Sequence, residues 1–211
     1  MTYATQERAA LCDLLDETGP DAPTLCAGWT TGDLAAHLVL RERRLDAAAG
    51  IALPFLAGYT ASVQRRIKAA TPYPELVRAI RNGPPRWTPY GLIPGLDGLV
   101  NTVELFVHHE DVRRARPGWE PRALPAGFQD VLWKRLGMAA PLFLRRSPVG
   151  VVLRRIGGGQ TVVRKPGPTV VVTGEPSELT MFVFGRQKHA RVECAGDPGA
   201  VARLREARLG A

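Results

Sequence analysis

The stretch NTVELFVHHEDVRRA, residues 101–115, places two histidines and three carboxylates within an apolar helical pattern. At about 100° per residue, Glu104, His108 and Asp111 fall within about 60° of one another on a helical wheel. Apolar residues flank this line on both sides, so the face that should enter the core also carries charged groups. An unpaired buried charge costs on the order of several kcal/mol. The sequence therefore predicts that these side chains have partners inside the protein.

The two adjacent histidines of this helix are expected to have different surroundings. His109 lies on the opposite side of the wheel, together with Glu110, and we expect that side to face solvent. Glu104 and His108 are four residues apart and project side by side from the inward face. They either bind a divalent metal or form a buried pair that only joins helices. Asp111 would then orient His108 or act as an additional ligand.

A further histidine lies upstream in the amphipathic segment TTGDLAAHLVLRERR. His37 falls among the apolar positions of this segment, and Arg41 and Arg44 follow it on the same line, one and two turns further on. Two helices that each place a histidine among apolar residues predict a shared polar centre inside a helical bundle. His37, Glu104 and His108 would form a three-ligand metal site with open positions for water or substrate.

Helical periodicity fills the first two thirds of the chain. Apolar positions recur at helical spacing in six segments, and Thr30 or Thr31 can cap the second of them, which should run to Gly50. Pro72 and Pro74 separate the third segment from the fourth. The predicted helices span about 4–17, 30–50, 60–70, 75–82, 97–115 and 125–145.

The pattern changes after Pro148. β-Branched runs separated by Gly and Pro predict three strands, in VGVVLRRIGG, QTVVRK and TVVVTGE. A helical SELTMFVFGR, a short run ARVECAG and a last helix in DPGAVARLREARLG complete the chain. The sequence thus predicts an α+β fold with two domains, a helical domain over residues 1–146 and a small α+β domain over residues 147–211.

The charge of the chain bears on its partners. The formal net charge is +8, with 28 Lys and Arg residues among 211. These cations are scattered and are not interleaved with aromatic residues, so a general compositional bias is favoured over nucleic-acid binding. A positive field could also attract an anionic small substrate. A nucleic-acid binder driven by charge remains an alternative, and steep salt dependence of retention on DNA would identify it.

Other sequence features concern the location of the protein. Runs of about 18 apolar residues, which membrane-spanning helices require, are missing from the sequence. The N-terminal stretch MTYATQERAALCDLLDETG has acidic residues and amphipathic spacing, which is unlike a secretory signal. The three cysteines form no CxxC pair, and this favours a reduced, cytoplasmic setting. We expect Cys12 and Cys26 in the core and Cys194 in a strand.

The segments LCAGWTTGDLAAHL (25–38) and VELFVHHEDVRRA (103–115) together resemble a known family. They are similar to the N-terminal domain of the mycothiol-dependent maleylpyruvate isomerase family, within the DinB-like metal-binding superfamily. That family has a Trp-Thr helix start, a later His, and Glu-x-x-x-His on another helix; the matching positions here are Trp29, Thr30, His37, Glu104 and His108. The segments GEPSELTMFVFGR and VECAGDPGAVARL are similar to the C-terminal domain of the family.

The resemblance implies a fold and a set of cofactors. It implies a DinB-like four-helix bundle followed by a small α/β unit like the sterol carrier proteins. It also implies zinc, or another divalent metal, at His37, Glu104 and His108, and mycothiol as the thiol cosubstrate. An arginine of the family's C-terminal domain serves catalysis, and Arg186 is the matching candidate. The run VHHEDVRRA resembles an actinobacterial branch of the family more than the isomerase itself.

The function that follows is thiol chemistry on a small electrophilic substrate. The thiolate of mycothiol would add to an electrophilic carbon, and the product would be an isomer or a stable conjugate. Arg41, Arg44 or Arg186 could hold a substrate carboxylate. The chain would then be an isomerase or an S-transferase. A non-catalytic metal-binding or regulatory protein is the alternative, and the sequence leaves the oligomeric state open.

Overall fold

A computed structural model describes residues 2–93, 95–163 and 167–210 of the protein. The chain divides into two compact units, Met1–Trp119 and Glu120–Ala211. The first unit is helical, and the second contains helices and a four-stranded sheet. The predicted α+β class is therefore confirmed. In the part of the chain that is described, the helices are too short or too polar to cross a membrane.

The helices of the first unit follow the predicted pattern, with one interruption. The predicted helix that should run to Gly50 breaks at Arg44, whose backbone leaves the helical region at φ −124° and ψ 70°, and a shorter helix follows. The loop before the last helix of this unit contains a single helical turn. The bounds are α1 Tyr3–Thr18, α2 Thr31–Arg43, α3 Leu45–Ala52, α4 Ala57–Ala70, α5 Tyr73–Arg81, α6 Pro89–Leu92 and α7 Leu96–Arg113, with a 3₁₀ turn at Pro54–Leu56.

Four of these helices, α1, α2, α5 and α7, contribute to one apolar core among the described residues. Their amphipathic faces bury Leu, Ile and Val side chains against one another, which is the arrangement of a helical bundle. Thr30 caps the N-terminus of α2 and exchanges hydrogen bonds with Asp33, as a capping box does. The fully or almost fully buried members of the core include Leu11, Leu15, Leu34, Leu38, Leu76, Ile80, Leu105 and Val112.

Among its described residues, the second unit contains a small mixed sheet and three α-helices, with a 3₁₀ turn at Gln187–His189. The strand order is β2-β1-β3-β4, with β1 parallel to β3 and the other two pairs antiparallel. The three predicted strand segments form strands, although the last two residues of QTVVRK lie outside the described residues. The short run ARVECAG supplies the fourth strand. The bounds are α8 Ala126–Phe143, β1 Gly150–Arg155, β2 Gln160–Val163, β3 Thr169–Gly174, α9 Pro176–Val183, β4 Glu193–Ala195 and α10 Pro198–Glu206.

Helix α8 belongs to the second compact unit. Leu136 and Ala140 on this helix lie in the same apolar core as Val151 of β1 and Val172 of β3. The sequence placed the domain boundary at residues 146 and 147, where the periodicity changes, whereas the compact units divide after Trp119. The difference arises because periodicity identifies a helix but not the core that it enters. The division into domains at residues 146 and 147 stays a prediction.

This placement of α8 predicts that substitutions at two of its residues differ in their effect on the free energy of unfolding. Leu136 is 1% exposed and Met138 is 60% exposed. Leu136→Ala should lower the free energy of unfolding by about 2–5 kcal/mol, because it leaves a cavity in the core of the sheet unit. Met138→Ala, the matched surface control, should change it by no more than about 0.5 kcal/mol. Urea unfolding followed by circular dichroism would measure both, and equal effects would contradict the placement.

Candidate metal centre

A line of polar residues runs along one face of α7. Its members are three or four residues apart, which places them above one another on a helix. Asn101 and Asp111 are fully buried and His108 is 7% exposed. The Glu104 side chain is 23% exposed, so the line reaches solvent near this residue. The members in order are Asp97, Asn101, Glu104, His108 and Asp111.

His37 approaches the middle of this line from α2. The residue is 6% exposed, and its Nε2 lies 3.8 Å from Oε1 of Glu104. Nε2 of His108 lies 3.2 Å from the same oxygen. The two imidazole rings meet edge to face with their centroids 5.3 Å apart, and the Trp29 ring lies 5.0 Å from that of His37. Two nitrogens from different helices therefore converge on one carboxylate.

The other ring nitrogen of His108 has a different partner. Its Nδ1 lies 3.0 Å from Oδ2 of Asp111, so this carboxylate fixes the orientation of the ring. The loop before α2 packs at the same point. The Cys26 thiol donates to Oδ2 of Asp111 over 3.2 Å, and the backbone amide of Leu25 donates to the Asp111 carbonyl over 3.0 Å. This arrangement is compatible with Asp111 orienting His108. The sequence left open whether Asp111 orients His108 or binds the metal, and its role stays a prediction.

Arg41 adds a positive charge to the site. Its Nε lies 3.4 Å from Oε1 of Glu104, and its Nη1 donates to Oδ1 of Asn101. Asn101 in turn donates through Nδ2 to Oδ1 of Asp97 over 2.6 Å. Arg8 of α1 donates to the same Asp97 oxygen over 2.8 Å. A continuous chain of hydrogen bonds thus leads from α1 to Arg41 and holds its guanidinium beside Glu104, with which it forms an ion pair.

The surroundings shift the pKa of each central group. Burial lowers the pKa of His37 below its ordinary value, and the neighbouring Glu104 offsets this only in part. Burial acts to raise the pKa of Glu104, but Arg41 and the two histidines outweigh it and hold that pKa well below the usual range. Burial acts to lower the pKa of His108, but Asp111, Cys26 and Glu104 outweigh it and raise that pKa well above the usual range. The carboxylate of Glu104 is therefore ionised and His37 is neutral at pH 7.

The residues present fit a divalent cation. Donor atoms of His37, Glu104 and His108 all lie within 4.8 Å of one another. A His₂Glu donor set is typical of catalytic zinc, which takes three protein ligands and leaves a position for water or substrate. His37 is already in the neutral form that ligates metals, and a cation would replace the proton that His108 shares with Glu104. These three side chains could hold zinc or another divalent metal.

Comparisons with known proteins point to the same part of the chain. The sequence model for the mycothiol maleylpyruvate isomerase N-terminal domain matches residues 2–136. The chain belongs to this family. The match contains His37, Glu104 and His108, and it confirms the family that the sequence motifs resemble. A comparison with curated proteins found no match.

Two solved structures have a similar fold. One is the mycothiol-dependent maleylpyruvate isomerase, at 15% sequence identity and a TM-score of 0.56. The other is a histidine-to-alanine mutant of a mycothiol-dependent maleylpyruvate isomerase, at 14% identity and a TM-score of 0.58. Both alignments cover 92% of this chain and 90% of the solved chain. The similarity confirms the predicted architecture, a helical bundle followed by a small α/β unit.

The three arginines that the sequence proposed for substrate binding have different local surroundings. Arg41 contacts Glu104 at the centre of the site. Arg44 lies at the end of α2 with its side chain 46% exposed, and its guanidinium donates to Asp46. Arg186 follows α9 in the second unit, where its Nη1 donates to the Phe184 carbonyl over 2.6 Å. Within the first unit, Arg41 contacts the histidine–glutamate cluster, whereas the guanidinium of Arg44 is bound by Asp46.

The prediction that the opposite face of α7 meets solvent is wrong. His109 is 6% exposed and Glu110 is fully buried. Nδ1 of His109 lies 3.0 Å from Oε2 of Glu7 on α1, and Glu110 accepts a hydrogen bond from Arg114 over 2.5 Å. The helical wheel gave the right directions, but α1 covers this second face, and its charges are tolerated because they are paired.

Two further polar residues of the site were not identified from the sequence. Cys26 was expected in the core, yet it is only partly buried and its thiol donates to Asp111. Asn101 was not considered, although it lies on the polar line and joins Arg41 to Asp97. Its position three residues before Glu104 was the available signal. Cys12 is buried and Cys194 lies in β4, as predicted.

Proposed function

We propose that the protein is a metal-dependent enzyme that uses mycothiol, a low-molecular-weight thiol, to isomerise or conjugate a small electrophilic substrate. Family membership supports thiol chemistry. The observation that carries the proposal is the convergence of His37, Glu104 and His108 from two helices, with Glu104 partly open to solvent. A purely structural ion pair would need only one histidine beside the carboxylate, whereas two approach it here.

Each residue of the site has a role in this proposal. A zinc ion held by His37, Glu104 and His108 would supply the positive charge that favours the thiolate form of the thiol. Asp111 accepts a hydrogen bond from Nδ1 of His108 and so keeps Nε2 directed at Glu104. Arg41, fixed by Asn101, presents a guanidinium suited to a substrate carboxylate.

The isomerisation would have two steps, in which the thiol first adds to the substrate and is then lost from it. The thiolate adds to a carbon of an electrophilic double bond, and that bond becomes single and can rotate. Loss of the thiolate then restores the double bond in the other geometry and regenerates the thiol. In a transferase the adduct takes up a proton and is released as a conjugate. Arg186 of the C-terminal unit is proposed as a further catalytic group, on the basis of the family resemblance.

A non-catalytic metal-binding or regulatory protein is the second candidate function. It is favoured by the extensive pairing around the cluster, since a structural metal is held by the same kinds of ligands. The two functions differ in turnover. Thiol-dependent formation of an isomer or of a thiol conjugate from an unsaturated, carboxylate-bearing electrophile would support the enzyme. Stoichiometric metal without thiol-dependent turnover of any such compound would support the alternative.

Substitution of the proposed ligands should remove the metal. His37→Ala, Glu104→Ala or His108→Ala each takes away one of three donors, so bound zinc per chain should fall sharply. Asp111→Asn, which weakens the support of His108, should lower zinc affinity about 10–100-fold. Elemental analysis of the purified variants would measure the zinc content, and circular dichroism would verify that they are folded.

The matched control for these variants is the adjacent histidine. His109→Gln should retain zinc, because His109 pairs with Glu7 on another face of α7. If this variant lost its zinc while His108→Ala kept it, the assignment of the ligands would be wrong.

Arg41 and Arg44 should differ in their effect on activity. Arg41→Gln should lower kcat/KM roughly 10–150-fold, the equivalent of a charged hydrogen bond worth about 1.5–3 kcal/mol. Arg44→Gln should have little effect, because Arg44 is largely exposed and bound by Asp46. Steady-state kinetics with mycothiol and a carboxylate-bearing electrophile would measure both, with zinc content determined in parallel. Equal losses in the two variants would contradict the role given to Arg41.

A further inference from the structure

A second group of donor atoms lies on the other side of the His108 ring. Donor atoms of Cys26, His108 and Asp111 all lie within 4.8 Å of one another. This group shares only His108 with the cluster of His37 and Glu104. It uses the thiol of the loop before α2 and a carboxylate that the first donor set does not include.

The hydrogen-bond geometry shows what a cation would replace. The Cys26 thiol and Nδ1 of His108 both approach Oδ2 of Asp111, over 3.2 Å and 3.0 Å. A metal ion bound here would displace the thiol proton and the Nδ1 proton into solvent. A thiolate and a carboxylate together would then balance the charge of a divalent ion, and the imidazole would complete a set of three ligands.

The loop that carries Cys26 is held in place before any ion binds. The amide of Leu25 donates to the Asp111 carbonyl over 3.0 Å. The amide of Cys26 donates to Oγ1 of Thr24 over 3.2 Å, and the amide of Trp29 donates to the Cys26 carbonyl over 2.9 Å. Asp111 is fully buried, whereas Cys26 is partly exposed. The donor set is therefore preorganised and open on the side of the thiol.

We propose that Cys26, His108 and Asp111 form a second metal site, which takes thiophilic divalent ions such as Cd²⁺ and also binds Co²⁺, whose spectrum reports a thiolate ligand. The sulfur ligand sets its preference, because thiolates select softer metals while the His₂Glu set has only nitrogen and oxygen donors. The two sites use opposite nitrogens of one imidazole ring. The proposal does not depend on the catalytic activity proposed above.

Titration of the full-length, metal-free protein with Co²⁺ tests the site. Thiolate ligation produces a sulfur-to-cobalt charge-transfer band in the near ultraviolet, which nitrogen and oxygen ligands do not. His37→Ala breaks the first donor set and leaves the second intact, so this variant should keep the band. Cys26→Ser should lose it. Cys194→Ser, the control at another partly buried cysteine, should keep it.

A second measurement covers the case in which Cys26→Ser folds poorly. In the His37→Ala background, Cd²⁺ should protect Cys26 from alkylation, as read by mass spectrometry, and should leave Cys194 unprotected. The absence of a charge-transfer band in both the wild type and His37→Ala would overturn the proposal, as would equal alkylation of Cys26 with and without Cd²⁺. A band that disappears in Cys194→Ser but not in Cys26→Ser would also overturn it.

Discussion

The pairing of charged groups on the buried faces of α7 is the constraint on which the first unit depends. This helix carries polar side chains on two faces, and these side chains pair with residues of α1 and α2. Asp97 is paired with Arg8, and His109 with Glu7, both on α1. Removing one partner of a buried pair typically costs about 3–5 kcal/mol. The pairs therefore fix the position of α7 against α1, and an alternative register would leave several charges unpaired.

The same constraint explains how a structural feature becomes a candidate active site. Near the start of α7 the polar line is fully used in hydrogen bonds, from Arg8 through Asp97 and Asn101 to Arg41. Near its middle the partners change to imidazoles, and Glu104 is partly open to solvent. A carboxylate and two histidines that converge at an opening are groups that a metal can bind. The structural pairs hold these ligands, and the site requires no rearrangement of the helices.

The residues that share a face of α7 could be predicted from the sequence. What each face packs against could not. The spacing of Glu104, His108 and Asp111 revealed the polar line, because helical periodicity fixes which residues share a face. Periodicity does not reveal what covers a face, so the burial of His109 against Glu7, 102 residues away, was missed. Asn101 carries no charge, and its position three residues before Glu104 was the signal that could have identified it. The change in period set the predicted domain boundary, which stays a prediction, but periodicity could not show that α8 enters the core of the sheet unit.

The central claim is that the buried charged face of α7 is a metal centre. A crystal of the protein grown with zinc, with diffraction data collected on both sides of the zinc absorption edge, tests it directly. The account predicts an anomalous peak about 2.0–2.2 Å from Nε2 of His37, Nε2 of His108 and a carboxylate oxygen of Glu104. A well-ordered cluster without such a peak, or zinc bound elsewhere in the chain, would contradict the account.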